Sequence, residues 1–143
     1  MRFLNSLQAV SLLLVRVALA IVFITHGYPK LAHAGRGMQE FFVHHGLPGY
    51  FLYVSGILEV FGGVLLLLGL FTRVAALLLA TEMVVAIWKV DSGHGYLAVR
   101  DYELPMVLAT TCFVLVTIGA GMISLDQPLF ESKGWGSSRS RKK

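Results

Sequence analysis

The stretch LQAVSLLLVRVALAIVFITHGYPKL, residues 7–31, is an apolar run with one arginine, Arg16, in its interior. A transmembrane helix needs about 20 consecutive, mostly apolar residues, so this stretch predicts a membrane span. It is longer than the apolar region of a secretory signal and lacks a convincing cleavage site, so we expect it to be retained in the mature protein.

The composition of the whole chain agrees with a membrane protein. Of its 143 residues, 56% are hydrophobic and 14% are charged, and the mean hydropathy is +0.72. A soluble domain carries about 25% charged residues, and a disordered chain combines low hydrophobicity with high net charge. Both classes are therefore excluded, and a small membrane protein is predicted.

Three further apolar runs follow the first, at residues 50–70, 72–90 and 105–123. An α-helix satisfies its own backbone hydrogen bonds, which the interior of a bilayer requires. We therefore predict an all-α fold, a transmembrane four-helix bundle with short loops, over residues 1–125. Residues 126–143 are predicted to form a short basic tail.

The connections between these runs differ in length. Residues 32–49 contain several glycines together with Pro48, which predicts a loop. Residues 69–73, GLFTR, are few enough to join two helices in a tight hairpin. Pro105 is expected in the first turn of the fourth helix, where the missing N–H of a proline costs nothing.

The basic residues predict the orientation. Four spans place both ends of the chain on one side, and cytoplasmic segments carry the excess of Lys and Arg. The side of the termini would hold seven such residues (Arg2, Arg73, Lys133, Arg139, Arg141, Lys142 and Lys143), against four on the other side (Lys30, Arg36, Lys89 and Arg100). We therefore expect a multi-pass protein of the inner (plasma) membrane with both termini in the cytoplasm.

Three charged residues, Arg16, Glu59 and Glu82, lie inside predicted spans. A charge at the bilayer centre costs at least about 2.5–3.5 kcal/mol, so these side chains should face the bundle interior. Small residues lie beside them, and such residues allow membrane helices to pack closely; the glycines assigned to packing are Gly27, Gly56, Gly62 and Gly63. We predict a buried polar core in which Arg16 pairs with Glu59 or Glu82. This core either fixes the helix register or handles a proton or substrate.

A second polar group is predicted at the extracytoplasmic ends of the helices. It consists of His26, Lys30, Lys89, Tyr102 and Glu103. Such a group at a polar–apolar border could hold a quinone head group, a small anion or a partner protein. The alternative interpretations are an aromatic belt at the membrane interface and a hydrogen-bonded histidine at a helix end.

The sequence argues against several cofactors and partners. The single cysteine, Cys112, excludes an internal disulfide and a cysteine-ligated metal cluster. Haem is disfavoured because His26 is the only histidine within a predicted span, and no metal site is assigned. No nucleotide-binding motif is present. The basic excess is better explained by anionic lipid head groups than by nucleic acid.

Short motifs along most of the chain, about Leu12 to Leu125, resemble the DoxX family of small four-helix membrane proteins. They are LVRVAL (14–19), FITHG (23–27), KL (30–31), GLP (46–48), EVFGG (59–63), LGLFTRVAA (68–76), YELP (102–105) and GAGMISLD (119–126). The resemblance marks as signature positions Arg16, His26, Gly27, Lys30, Glu59, Gly63, Arg73, Tyr102 and Glu103. It implies a four-helix bundle and a role near the quinone pool, as an accessory membrane partner of redox enzymes.

Three functions stay open on these residues. The first is a membrane subunit of a quinone-linked oxidoreductase system, which binds quinone or docks the partner enzyme. The second is a membrane anchor without chemistry, and the third is a pathway for protons or small solutes. No catalytic residue is assigned and the cofactor is unknown, with quinone left open. The expected partners are membrane lipid, other membrane or redox proteins, and further copies of this chain.

Overall fold

The computed structural model describes residues 2–33, 35–91, 99–121 and 124–125. These residues form five α-helices and no strand. The helices are α1 (Arg2–Ala32), α2 (Arg36–His44), α3 (Phe51–Leu68), α4 (Thr72–Asp91) and α5 (Val99–Ile118). The predicted all-α class is therefore confirmed. The predicted tail, 126–143, lies outside the described residues.

Two of the helices are long and apolar enough to cross a membrane. They are the segment Leu7–Ala32 of α1 and the whole of α3. The apolar part of α5, Tyr102–Ile118, is shorter, while α4 carries Arg73, Glu82 and Lys89 among its apolar residues. The chain thus has two helices of membrane-spanning length and composition in the part that the structure describes.

Two expectations about the connections are corrected by the structure. The segment predicted as a loop contains α2, whose apolar residues Met38, Phe41 and Phe42 line a cavity shared with the other helices. The fourth predicted helix begins at Val99, so Pro105 lies inside α5 and not in its first turn. A proline there removes one N–H from the helix, yet α5 continues to Ile118.

The four longer helices pack mainly as two pairs. The most extensive contacts join α1 to α3 and α4 to α5, α3 and α4 pack together less, and α1 meets α5 over a small area. The turn between α3 and α4 is closed by Gly69 at φ 64°, whose N–H donates to the carbonyl of Leu66 while that of Leu70 donates to Leu65. This arrangement is a Schellman motif, in which glycine is favoured because its φ is positive.

Close approach of α1 and α3 depends on glycine. A Cβ added to Gly27 would lie 2.7 Å from the Cβ of Glu59 and 2.9 Å from the carbonyl oxygen of Gly56. A Cβ on Gly63 would lie 2.8 Å from Cγ1 of Ile24. These separations are too short for real side chains, so α1 and α3 touch almost backbone to backbone. The contact fixes the ends of both helices relative to each other.

Candidate functional site

A cavity of about 540 Å³ lies between the end of α1, α2, the first half of α3 and the middle of α4. Its wall is mostly apolar and includes aromatic and sulfur-containing side chains, among them Phe41, Phe42, Phe51 and Met83. A few polar side chains interrupt this wall, namely His26, Lys30, His45, Ser55, Thr81 and Glu82. An apolar pocket with a few convergent polar groups is the usual form of a small-molecule site.

The best-defined polar contact of the cavity wall is an ion pair between α1 and α3. Lys30 Nζ lies 2.7 Å from Glu59 Oε2 and donates a hydrogen bond to Ser55 Oγ at 2.8 Å. The Glu59 side chain is 4% exposed and that of Lys30 is 22% exposed. Lys30 lines the cavity, and its ion pair with Glu59 places two charges beside the cavity wall.

Glu82 on α4 belongs to the same cluster of charged side chains. It lies close enough to Ser55, Glu59 and Lys30 to interact with them. Both of its carboxylate oxygens are shielded from solvent, and within the described part of the chain neither has a hydrogen-bond partner of good geometry. Two carboxylates and one ammonium group leave this cluster with one formal negative charge when all are ionised. The cluster therefore favours a ligand that donates hydrogen bonds or protons to it.

The two histidines of the cavity wall have the same local arrangement. His26 Nδ1 lies 2.8 Å from the carbonyl oxygen of Val22, and His45 Nδ1 lies 2.7 Å from that of Phe41. A carbonyl oxygen can only accept, so Nδ1 is the donor in both rings. In the neutral imidazole, Nε2 is then a hydrogen-bond acceptor.

Helix α2 covers one side of the cavity. Met38, Phe41 and Phe42 contribute to the wall from this helix, which has no fully buried residue. A hydrogen bond from Gln39 Nε2 to the Tyr53 hydroxyl, 3.1 Å long, ties α2 to α3. Helix α2 therefore contributes an apolar face to the cavity wall.

Arg16 lies away from this cluster, which corrects the predicted pairing with Glu59 or Glu82. Its Nε donates to the carbonyl oxygen of Leu66 at 3.0 Å, and its Nη1 donates to that of Ala120 at 2.8 Å. Leu66 follows Glu59 by about two helical turns, roughly 10 Å along the axis. The carboxylate of Glu59 is paired with Lys30 instead. Arg16, at 2% exposure, therefore joins helix ends and does not belong to the cavity.

The predicted outer group is divided by the structure. His26 and Lys30 line the cavity. Lys89 Nζ lies 5.3 Å from the ring centroid of Trp88 and points toward Gly46, beyond α2. Tyr102 is half-buried and Glu103 is exposed near the start of α5, and neither is among the described residues of the cavity wall.

Some residues of the site were not singled out from the sequence. No role in a site was assigned from the sequence to Ser55, Phe41, Phe42 or His45. The signal that could have found them is the pattern MQEFFVH, residues 38–44, whose apolar residues cluster on one side of a helix. Within the described part of the chain, no cluster of three metal-binding side chains occurs.

An all-helical chain with membrane-length apolar helices and a lateral apolar cavity defines a small helical membrane protein. The DoxX family model matches residues 11–92, and the chain belongs to this family. The matched region runs from within α1 to the end of α4 and contains all the described residues that line the cavity.

Three relatives cover most of the chain. It is 31% identical to the Bacillus subtilis protein named "Putative oxidoreductase CatD", over 93% of this chain and 97% of the relative. It is 30% identical to "Uncharacterized membrane protein Rv3486" of Mycobacterium tuberculosis, over 90% and 86%. It is 28% identical to "Inner membrane protein YqjF" of Escherichia coli, over 92% and 99%. No solved structure matches the chain.

Proposed function

We propose that this protein is a membrane subunit of a redox-linked system that binds the head group of a quinone-type molecule in the cavity beneath α2. The observation that carries the proposal is the cavity itself, an apolar space of about 540 Å³ with Lys30, His26 and Glu82 in its wall. Its volume is within the usual range for small-molecule sites, about 300–1,000 Å³.

The apolar wall contributed by α3 and α4 supports a ligand that comes from the membrane. Val54 of α3 and Leu78 of α4 both line the cavity and are 42% and 49% exposed. In our proposal the ligand enters between the helix faces that carry these two apolar side chains. In a bilayer these faces contact acyl chains, so a lipid-soluble molecule could enter sideways without crossing water.

The chemistry of the wall suits a ring with polar oxygens. Lys30 Nζ has three N–H donors; it donates one to Ser55 and forms an ion pair with Glu59. The ammonium group can therefore donate a further hydrogen bond to a ligand oxygen. The aromatic side chains of Phe41, Phe42 and Phe51 supply surfaces against which a planar ring can pack.

A redox association is supported by the name of the Bacillus subtilis relative. The sequence contains no flavin, haem or cluster motif, so electron transfer in our proposal belongs to a partner oxidoreductase. The role of this chain is to hold the quinone-type molecule or to anchor that partner at the membrane.

The topology that we propose is a four-helix transmembrane bundle with both termini in the cytoplasm. Helix α4 crosses the membrane in this arrangement. Its charged residues are compatible with that, because Glu82 interacts with the cluster inside the protein and Arg73 lies at the start of the helix. The cavity then lies at the extracytoplasmic end, where α1 finishes and α3 begins.

The test is a binding measurement on the intact protein in lipid nanodiscs. Short-chain ubiquinone and menaquinone analogues are titrated, and protein-bound ligand is quantified against empty discs of the same lipid. We expect saturable binding of one molecule per chain to at least one analogue. Partition identical to that of empty discs, together with a fixed copurifying protein, would overturn quinone binding and assign the chain as an anchor.

A further inference from the structure

We infer that the cavity distinguishes the reduced from the oxidised form of its ligand and prefers the hydroquinone. This inference rests on the proposed function, because it concerns the same cavity. The inference comes from the hydrogen-bond donors and acceptors of the cavity wall that have no partner in the part of the protein that the structure describes. The size and apolarity of the cavity alone would not favour either form of the ligand.

Most donors in the wall already have acceptors within the protein. The Thr81 hydroxyl donates to the carbonyl oxygen of Leu77 at 2.8 Å. The Nδ1 donors of His26 and His45 are directed to carbonyl oxygens of their own helices. Each of these three side chains donates its hydrogen to the carbonyl oxygen four residues earlier in the chain, so it cannot donate that hydrogen to a ligand.

Most hydrogen-bonding groups of the wall that remain available to a ligand are therefore acceptors. His26 and His45 each keep Nε2, which accepts in the neutral ring, and the Thr81 oxygen keeps a lone pair. Glu82 adds two carboxylate oxygens that have no partner of good geometry among the described residues. Its side chain lines the cavity, which places the carboxylate beside a bound molecule. Against these acceptors the wall offers two donors: the Lys30 ammonium group, which donates to Ser55 and is paired with Glu59, and the Ser55 hydroxyl, which interacts with Glu82.

Quinone and hydroquinone differ in whether their ring oxygens can donate hydrogen bonds. The two carbonyl oxygens of a quinone only accept hydrogen bonds, so they would face acceptors across most of the cavity. The two hydroxyl groups of a hydroquinone donate, and each can still accept from Lys30. An acceptor left without a donor in an apolar site costs free energy, so the reduced form satisfies the wall and the oxidised form does not.

The experiment compares three probes of the same ring under anaerobic conditions, with the protein in nanodiscs. They are decylubiquinone, decylubiquinol and the dimethyl ether of decylubiquinol, which has the reduced ring without hydroxyl donors. We expect the hydroquinone to bind about tenfold more tightly than either of the other two, which is the effect of one good hydrogen bond to a charged group. Equal affinities for quinone and hydroquinone would overturn the preference while leaving the proposed function intact. Absence of saturable binding by all three probes would overturn the proposed function itself.

Two variants test the residues that carry the inference. Glu82→Gln replaces one acceptor with an amide donor and should reduce the preference for hydroquinone to about threefold or less, whereas Glu103→Gln, on exposed α5 surface, should keep it. His45→Phe keeps an aromatic ring, removes an acceptor and should weaken only the hydroquinone; His33→Phe is its control. Helicity and thermal unfolding of each variant separate lost binding from lost folding. A full preference retained in both cavity variants would contradict the assignment to these acceptors.

Discussion

The guanidinium of Arg16 donates from Nε to the carbonyl oxygen of Leu66 at 3.0 Å, in the last turn of α3. Its Nη1 reaches the carbonyl oxygen of Ala120, just beyond the end of α5. The last carbonyls of a helix have no partner within the helix and carry partial negative charge. These carbonyl oxygens stabilise the buried guanidinium, which joins α1, α3 and the segment after α5.

Arg16→Leu should destabilise the protein by about 3 kcal/mol or more, because several buried carbonyl oxygens lose a charged donor at once. The measurement is unfolding by denaturant in detergent micelles, followed by helical circular dichroism. Arg36→Leu provides a matched control, since Arg36 lies exposed at the start of α2 and its loss should change stability by about 0.5 kcal/mol or less.

A double-mutant cycle separates this account from pairing with a glutamate. Arg16→Leu combined with Glu82→Gln should show additive losses within about 0.5 kcal/mol, as expected for sites without shared partners. Recovery of stability in the double variant would show that the two side chains do compensate each other's charge.

The pair Lys30–Glu59 gives the second prediction. Lys30→Met leaves the Glu59 carboxylate buried without its cation and should cost about 3 kcal/mol, as for other broken buried pairs. The double change Lys30→Met with Glu59→Leu removes both charges and should recover part of this loss. The free energy of unfolding is measured for both, with Glu103→Gln as an exposed control. A double variant less stable than Lys30→Met would show that Glu59 is held mainly by other groups.

Apolar runs were enough to predict the helical class and the approximate positions of α1, α3 and α4. Their physical basis is simple, because a long apolar segment has few alternatives to a helix in a membrane. Helix α2 was not predicted, since its apolar residues are few and lie between glycines at residues 35, 37, 46 and 49. The one-sided apolar pattern of residues 38–44 is short, and the helices that share the cavity wall with α2 cannot be identified from those residues alone.

The partners of the charged residues could not be predicted for a different reason. Arg16 was paired with a carboxylate because it lies inside an apolar run, but its hydrogen bonds go to backbone carbonyls near helix ends, and such carbonyls leave no mark in a sequence. Lys30 was assigned to the outer surface by the position of its Cα. A lysine side chain is long and flexible, and this one reaches inward to Glu59.

Gly27→Ala should force α1 away from α3. The added methyl would lie 2.7 Å from the Cβ of Glu59, and overpacking of this kind costs about 1–3 kcal/mol. Gly37→Ala is the matched control because a Cβ there meets nothing within 4 Å. Thermal unfolding of the two variants should differ clearly; equal melting temperatures would show that the helices can separate freely at this point.

The orientation prediction is tested with reporter fusions. A reporter active only in the periplasm, fused after Lys143, should be inactive in our topology, and a green fluorescent reporter fused there should fluoresce. The same periplasmic reporter inserted between Gly35 and Gly37, at the start of α2, should be active. Periplasmic activity from the C-terminal fusion of the intact chain would reverse the orientation.

Filling the cavity gives the most direct test of its role. Ala86 of α4 lines the cavity and is half-buried, so Ala86→Phe places a ring in the space that the ligand would occupy. Ala18→Phe adds the same ring to an exposed position of α1 that does not line the cavity. Because the space is already present, Ala86→Phe should leave the unfolding temperature close to that of the wild type.

Binding of the quinone-type probes should fall about tenfold or more in Ala86→Phe, a change of about 1.4 kcal/mol or more in binding free energy. Ala18→Phe should bind them like the wild type, since its ring faces lipid. Saturation titrations of both variants in nanodiscs measure the difference directly. If Ala86→Phe folds normally and still binds with wild-type affinity, the ligand does not occupy this cavity, and the assignment of His26, Lys30 and Glu82 as its polar contacts fails with it.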